Sequence, residues 1–329
     1  MRKYHNILVT GGCGFIGSNF IRYLMEDIKF DGVIHNLDKL TYAGKRENIS
    51  DLEGPGLRFY PGDVCNKDLM KILVQEYKID LVINFAAESF VDKAIENPEE
   101  FLQTNIFGPF SLMEAIKSQN SDAVFYQIST DEVYGQALGD TKFIEDLPFN
   151  PRNPYAASKA GADLLVNAYH TTYNLPTLIS HCSNNYGPYQ FPEKLIPLMI
   201  SNIVNNKPLP VYGEGKQIRD WLYVKDHCSA IWKISTSGTF GETYNIGGGV
   251  ELTNINLVEN LCERMGKILN KDVTDLITFV KDRLGHDFRY AIDFTKLSTE
   301  LDWFPEYFFE DGINKTIDWY LSNKDWLAH

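Results

Sequence analysis

Short runs of β-branched and other apolar residues recur through the first half of the chain, each followed by a longer stretch with apolar positions at helical spacing. Ile7–Thr10, Val33–Leu37, Leu57–Tyr60, Leu81–Phe85, Ala123–Ser129 and Thr177–Ser180 are the expected strands. Ile16–Glu26, Asn66–Tyr77, Pro98–Ser118 and Pro154–Tyr173 are the expected helices. Near-continuous apolar strands separated by helices are the pattern of a parallel sheet covered on both faces. Beyond about Ser183 the alternation decays: Pro188, Pro192, Pro197, Pro208 and Pro210 crowd one region, and Gly213, Gly215, Gly247, Gly248 and Gly249 punctuate the next. No repeat, low-complexity tract or flexible linker intervenes. The pattern predicts a doubly wound parallel α/β domain over residues 1–185. A smaller α/β lobe over 186–329 packs directly on it, with some segments returning to the first.

The first strand runs directly into Gly11-Gly12-Cys13-Gly14-Phe15-Ile16-Gly17, which opens the first helix. Missing side chains at Gly11, Gly14 and Gly17 let the backbone turn sharply and approach a pyrophosphate lying on the positive end of the helix dipole. The next strand ends at Asp38, where an acid can hydrogen-bond the adenosine ribose hydroxyls and repel a 2′-phosphate. This joint pattern predicts a Rossmann-type nucleotide site preferring NAD to NADP, a preference that Lys39 weakens without reversing.

Tyr155 and Lys159 lie one helical turn apart, so an ammonium can stabilise a phenolate and bring the tyrosine towards the working range of a general base. The same spacing recurs at Tyr212/Lys216, across two glycines, and at Tyr320/Lys324, where no other chemistry surrounds it. Only Tyr155 begins a good helix, after Pro154. It also follows a strand end carrying Ser129-Thr130-Asp131-Glu132-Val133-Tyr134-Gly135. Ligands of open parallel sheets bind outside the carboxyl ends of the strands, so these two adjacent acids are expected in the same cleft. They can act as separate acid and base if their surroundings push their pKa values apart.

Composition narrows the partners. The 329 residues include 31 Lys plus Arg against 44 Asp plus Glu, a formal charge of −13. That field disfavours nucleic acid and anionic membranes, and an anionic ligand would need a few local cations. No segment approaches the length of an apolar membrane helix, and Met1–His5 leads into a strand without a secretion signal. Five cysteines without a C-x-x-C pair fit a reducing cytosol, so a cytoplasmic protein is expected. Seven scattered histidines, His181 and His227 among them, make no metal-ligand spacing, and no metal is expected.

From about Ile7 to Leu321 the chain resembles the extended short-chain dehydrogenase/reductases, and among them the nucleotide-sugar 4,6-dehydratases. The stretches that carry the resemblance are Leu37–Gly44, Ala86-Ala87-Glu88-Ser89, Ser129–Gly135, Cys182–Tyr189, Pro192–Pro197, Arg219-Asp220-Trp221-Leu222, Asn245-Ile246-Gly247-Gly248 and Gly285-His286-Asp287. It implies tightly held NAD, a nucleotide-diphosphate sugar bound by the second lobe, and a homodimer built on the helices Pro98–Ser118 and Pro154–Tyr173. The implied cofactor residues are Gly11, Gly14, Phe15, Ile16, Gly17, Asp38, Lys39, Leu40, Thr41, Gly44, Asp63, Val64, Phe85, Ala86, Ala87, Ser89, Thr104, Tyr155, Lys159 and Asn185. The implied substrate residues are Ser89, Thr130, Asn184, Lys194, Leu195, Pro210, Tyr212, Arg219, Asn254, Arg283 and His286.

The implied catalytic set is Thr130, Asp131, Glu132, Tyr155 and Lys159. Tyr155, with Lys159 and Thr130, takes the proton from the sugar O4 as hydride leaves C4 for NAD. Glu132 then removes the C5 proton, Asp131 protonates the C6 hydroxyl to expel water, and hydride returns to C6. Asp131 must therefore be protonated and Glu132 ionised. The sequence departs from the commonest family pattern at Phe90, Leu284, Phe288 and Gly249-Val250. The resemblance points to dTDP-glucose, and UDP-N-acetylglucosamine and UDP-glucose stay open because such relatives would keep every catalytic residue. A 4-epimerase would need no elimination pair, and a silent nucleotide binder would not need all four of Tyr155, Lys159, Asp131 and Glu132.

Overall fold

The structure is a computed structural model that describes residues 1–119, 121–283 and 285–327, the side chain of Asp325 excepted. Leu284 lies outside the described residues. The strands are β1 (Asn6–Thr10), β2 (Val33–Asp38), β3 (Leu57–Pro61), β4 (Leu81–Asn84), β5 (Val124–Thr130), β6 (Thr177–Cys182), β7 (Asn184–Tyr186), β8 (Leu209–Tyr212), β9 (Ile218–Tyr223), β10 (Thr243–Ile246), β11 (Glu251–Thr253) and β12 (Ile277–Val280). Seven of them form one sheet in the order β10-β6-β5-β4-β1-β2-β3, every neighbour parallel. The six expected strands all stand in it, each shifted at its ends by two residues at most. The seventh, β10, comes from beyond residue 186 and lies against β6.

The period of two along each strand divides the apolar residues between the faces of the sheet. Ile7, Val9, Tyr126 and Ile128 join Phe20, Ile21 and Leu24 of α1 (Phe15–Arg22) and its extension in one core. Leu8 and Phe125 join Met70 and Leu73 of α2 (Lys67–Glu76) in the other, together with residues of two of the four later helices. Those later helices are α3 (Val91–Glu96), α4 (Pro98–Leu102), α5 (Gly108–Ser118) and α6 (Pro154–Tyr173), of which α5 and α6 supply Leu112, Ile116 and Val166 to this second core.

The expected helix Pro98–Ser118 is interrupted by a wider, π-type turn over Gln103–Phe107. Pro109 cannot donate the bond to the Asn105 carbonyl that a regular helix requires, which fits a local widening there. The freed Asn105 side chain bonds Glu88 through both backbone groups and the Ser158 hydroxyl, tying the turn to the end of β4. Helix α6 matches its expected bounds: Asn153 accepts from Ala156 N–H at 2.8 Å as N-cap, and Asn174 ends it in the left-handed conformation.

The remaining elements carry two small sheets, β11-β9-β7 and β12-β8. They pack with α7 (Leu195–Val204), α8 (Val224–Ser237) and α9 (Asn254–Leu269). Met199, Ile200, Leu209, Leu257, Leu261, Ile313 and Tyr320 form the core of this lobe, while α8 covers the large sheet beside α1. Phe125 is fully buried in β5 between β4 and β6. Phe125→Ala is expected to lower stability by about 3–5 kcal/mol, read as a lower urea midpoint at unchanged denaturant slope.

Candidate active site

The carboxyl ends of β1, β2, β4, β5 and β6 surround one cleft of about 330 Å³, at the point where strand order reverses between β1 and β4. Gly11 has φ +71°, and a Cβ there would lie 2.7 Å from Ala86 N. A Cβ on Gly17 would lie 2.4 Å from Gly11 O, so neither position admits a side chain. The loop backbone is thereby packed against β4 and brought to the floor of the cleft. Asp38 accepts from Cys13 N–H and Leu40 N–H, each at 2.8 Å. Burial pushes its carboxyl up, and the two N–H groups pull it back. Lys39 is drawn to Asp63 at 2.8 Å, so its charge is committed there.

The cleft is lined by Gly11, Gly14, Phe15, Ile16, Gly17, Asp38, Lys39, Thr41, Gly44, Asp63, Val64, Phe85, Ala86, Ala87, Ser89, Thr104 and Asn185, together with Tyr155 and Lys159. Of the expected cofactor residues only Leu40 is absent from this lining; its side chain is exposed and its N–H serves Asp38. Glu88, Ser183, Gln190, Phe191 and Glu193 also line it and were not expected. Phe191 and Glu193 lie in the proline-crowded stretch, which had no periodic signal, and are held by Tyr42.

Thr130, Asp131 and Glu132 form the tip of β5. The Thr130 hydroxyl accepts from Glu132 N–H and donates to Asp131 Oδ1, both at 3.4 Å. Asp131 is buried, its Oδ2 has no partner, and its carboxyl is pushed well up by burial and then by the charges of Glu132 and Asp220. Glu132 is also raised by burial, but Arg283, Arg219, an Asn153 hydrogen bond and Lys194 draw it back. Two acids adjacent in sequence are thus both raised by burial but keep different company, Asp131 mainly anions with Arg219 as relief and Glu132 mainly cations.

The expected cations come from three separate segments. Arg219 on β9 is buried, donates among the described residues only to the carbonyls of Ile218, Phe288 and Asp287, and lies 4.2 Å over the Tyr290 ring. Lys194 donates to Ser89 O at 2.9 Å, and Arg283 sits 3.9 Å from Asp92. Asn184 and Lys194 line the cleft, with Asn184 Oδ1 buried and unpartnered; Leu195 begins α7 just beyond. Tyr212 and His286 meet edge to face, and His286 bonds Asp282. Pro210 lies on β8, and Asn254 donates its N–H to Gln217, which itself bonds Asp282. Pro210, Tyr212, Arg219, Asn254, Arg283 and His286 lie outside the cleft lining itself. Of the departing positions, Phe90 lies 5.5 Å from Lys194, and Phe288 offers its carbonyl to Arg219. Gly249 has φ +70°, and Val250 donates to Asp220.

One expectation needs correction. Lys159 was expected to draw the tyrosine down, but its ammonium donates to Ile128 O at 2.6 Å, and Tyr155 is held well above its usual value. Burial is the main cause, followed by the charges of Glu132, Cys182 and Asp131, while the Thr130 hydroxyl favours the phenolate. Neither alternative tyrosine–lysine pair forms a site. Tyr212 ends β8 with Lys216 paired to Glu214, and buried Tyr320 donates to Gln190 O at 2.6 Å.

A parallel sheet with a glycine turn after β1, an acid at the end of β2 and a Tyr-x-x-x-Lys helix beside the β5 tip defines an extended short-chain dehydrogenase/reductase. The family model described as GDP-mannose 4,6 dehydratase matches residues 8–316, and the chain belongs to that family. It is 49% identical to a dTDP-glucose 4,6-dehydratase of Neisseria gonorrhoeae, over 97% of this chain and 96% of that one. A dTDP-glucose 4,6-dehydratase from Bacillus anthracis, solved with NAD, superposes with TM-score 0.89 at 43% identity over 98% of both chains. A UDP-glucose 4-epimerase of Thermotoga maritima, 25% identical, superposes with TM-score 0.88 over 97% of this chain and 99% of that one.

Asn185 is fixed from below by His227, whose Nδ1 lies 2.8 Å from Asn185 Oδ1. Burial pushes this imidazole from 6.5 down to about 3. The unfolded chain therefore takes up a proton that the folded one refuses. The associated stability is intact above pH 6.5 and is lost progressively as pH falls towards 3. Urea midpoints across that range should fall with decreasing pH, with a shallower slope in His227→Gln.

Proposed function

We propose that this chain is a dTDP-glucose 4,6-dehydratase, a hydro-lyase that holds NAD in the cleft. The observation that carries the reading is the opposed electrostatics of Asp131 and Glu132 beside Tyr155. The closed cradle at Gly11 and Gly17 fits a pyrophosphate, and the fixed Asp38 carboxylate fits the ribose hydroxyls. With Lys39 committed to Asp63, Asp38 disfavours a 2′-phosphate. When bound, the cofactor accepts a hydride from C4 of the sugar and gives it back at C6.

This chain's own residues handle the protons. Tyr155, whose phenolate the Thr130 hydroxyl favours against the larger push of burial, takes the O4 proton, and the resulting ketone acidifies C5. Glu132, which Arg283, Arg219 and Lys194 draw back towards its ordinary value against burial, removes the C5 proton. Asp131, kept neutral by burial among anions, gives its proton to the C6 hydroxyl, and water leaves. Arg219, Arg283 and Lys194 also supply the local cations that a nucleotide diphosphate needs in a chain of charge −13.

Residues 1–185, with β10 and α8 returning to them, form the cofactor domain in this reading, and the rest of 186–329 binds the nucleotide sugar. Leu102 and Phe107 on the α4–α5 segment and Leu164 on α6 are 46%, 51% and 61% exposed, which supports a homodimer across these helices. Five unpaired cysteines, four of them buried, fit a reducing cytoplasm. A 4-epimerase shares the fold, but it has no use for an acid and a base poised for elimination.

The deciding experiment incubates purified protein, without added NAD, with dTDP-glucose, UDP-glucose and UDP-N-acetylglucosamine separately. Mass spectrometry is expected to find loss of one water from dTDP-glucose alone. Loss from a uridine sugar instead reassigns the substrate, and no loss from any, even with NAD supplied, overturns the reading. Asp131→Asn and Glu132→Gln should still accumulate bound NADH while water loss slows by about 10²–10⁴-fold. A wild-type rate of water loss in either variant removes that residue from its role.

A further inference from the structure

A buried polar chain runs beneath the Ser129–Glu132 turn and has no part in the steps above. Asp163 stands on α6 one helical turn beyond Lys159 and two beyond Tyr155, and it is wholly buried. Its Oδ2 accepts from the Ser129 hydroxyl at 2.5 Å and lies 3.1 Å from His181 Nε2. His181 Nδ1 meets the Tyr134 hydroxyl at 2.8 Å, and Tyr134 donates to Asn245 Oδ1 at 3.2 Å. Asn245 is pinned in turn, its amide donating to Phe143 O and its N–H to Glu145. Elements from both halves of the chain thus converge on one carboxylate.

Burying a carboxylate is costly unless a charge or several hydrogen bonds answer it. Asparagine has the same shape, and its oxygen could still accept from Ser129, though less strongly, so that bond alone does not call for an acid. A cation lies one turn away. Lys159 donates to Ile128 O of β5 and lies in the fields of Asp163, one turn further along its own helix, and of the Cys182 thiol on β6, with Tyr155 one turn back on that helix. Burial works against its charge, and Asp163 is the main influence working for it.

We propose that Asp163 is a positioning residue of the dehydratase reaction. Its charge favours the ammonium form of Lys159 against burial, and its bond to Ser129 sets the turn that carries Thr130, Asp131 and Glu132. His181, braced by Tyr134, holds the carboxylate in place. The proposal rests on the dehydratase reading. It adds a third position to the stripe, Tyr155, Lys159 and Asp163, four residues apart along one face of α6.

The test uses holoenzyme and dTDP-glucose, following bound NADH in a single turnover and kcat and KM against pH. In Asp163→Asn, KM should stay within about twofold while kcat falls about tenfold or more. The alkaline limb of kcat should move to lower pH by about one unit or more, because an ammonium without its counter-charge loses its proton earlier. Asp163→Glu, which keeps the charge, should retain the wild-type limb. An Asp163→Asn limb at the wild-type position overturns the proposal, since a merely structural support would leave the profile unmoved. If that variant does not fold, Ser129→Ala tests the second link: kcat should fall with KM and melting temperature nearly unchanged, and an unaltered kcat overturns the proposal. Wild-type protein that neither forms NADH nor loses water overturns the dehydratase reading, and the proposal with it. Active wild-type with an unresponsive variant overturns the proposal alone.

Discussion

Two carboxylates that follow one another on a turn, one buried and one half-buried, cannot both ionise cheaply, and the rest of this site is arranged around that constraint. Burial raises both Asp131 and Glu132. What separates them is the company each keeps. Asp131 lies among Glu132 and Asp220 with Arg219 as its main relief, whereas Glu132 is met by Arg283, Arg219 and Lys194. Neighbours thus push the two acids apart in a division of labour, favouring the proton on Asp131.

The fold makes that division possible by bringing distant segments to one sheet edge. The acids arrive on the tip of β5, whereas the cations come from the loop before α7, from β9 and from the stretch after β12. Strand β10 and helix α8 tie the second half of the chain to the large sheet, so the cations are held by the same framework as the acids. A loosely tethered second lobe would let the three positive groups drift, and both acids would then compete for one proton.

Much of this was legible in the sequence. The six expected strands and the bounds of α6 follow from runs of buried residues and from punctuation by Asn153, Pro154 and Asn174. The glycine turn and Asp38 could be read because backbone requirements leave a mark at fixed spacing. Long-range partners leave no such mark. The pull of Asp63 on Lys39, the hold of the Ile128 carbonyl on Lys159 and the place of β10 beside β6 depend on which strands become neighbours. The Tyr155 expectation missed for the same reason, since spacing shows that a lysine is near but not which acceptor it chooses. The proline-rich stretch at 188–197, with Phe191 and Glu193 on the cleft, had no periodicity to betray it.

The central claim is that neighbouring acids in one cleft hold different protonation states at neutral pH. Neutron diffraction from deuterium-exchanged crystals of the holoenzyme grown near pH 7 reads those states directly. The account predicts deuterium on a carboxyl oxygen of Asp131 and none on Glu132. Deuterium on Glu132 with Asp131 bare, or on neither, would contradict it.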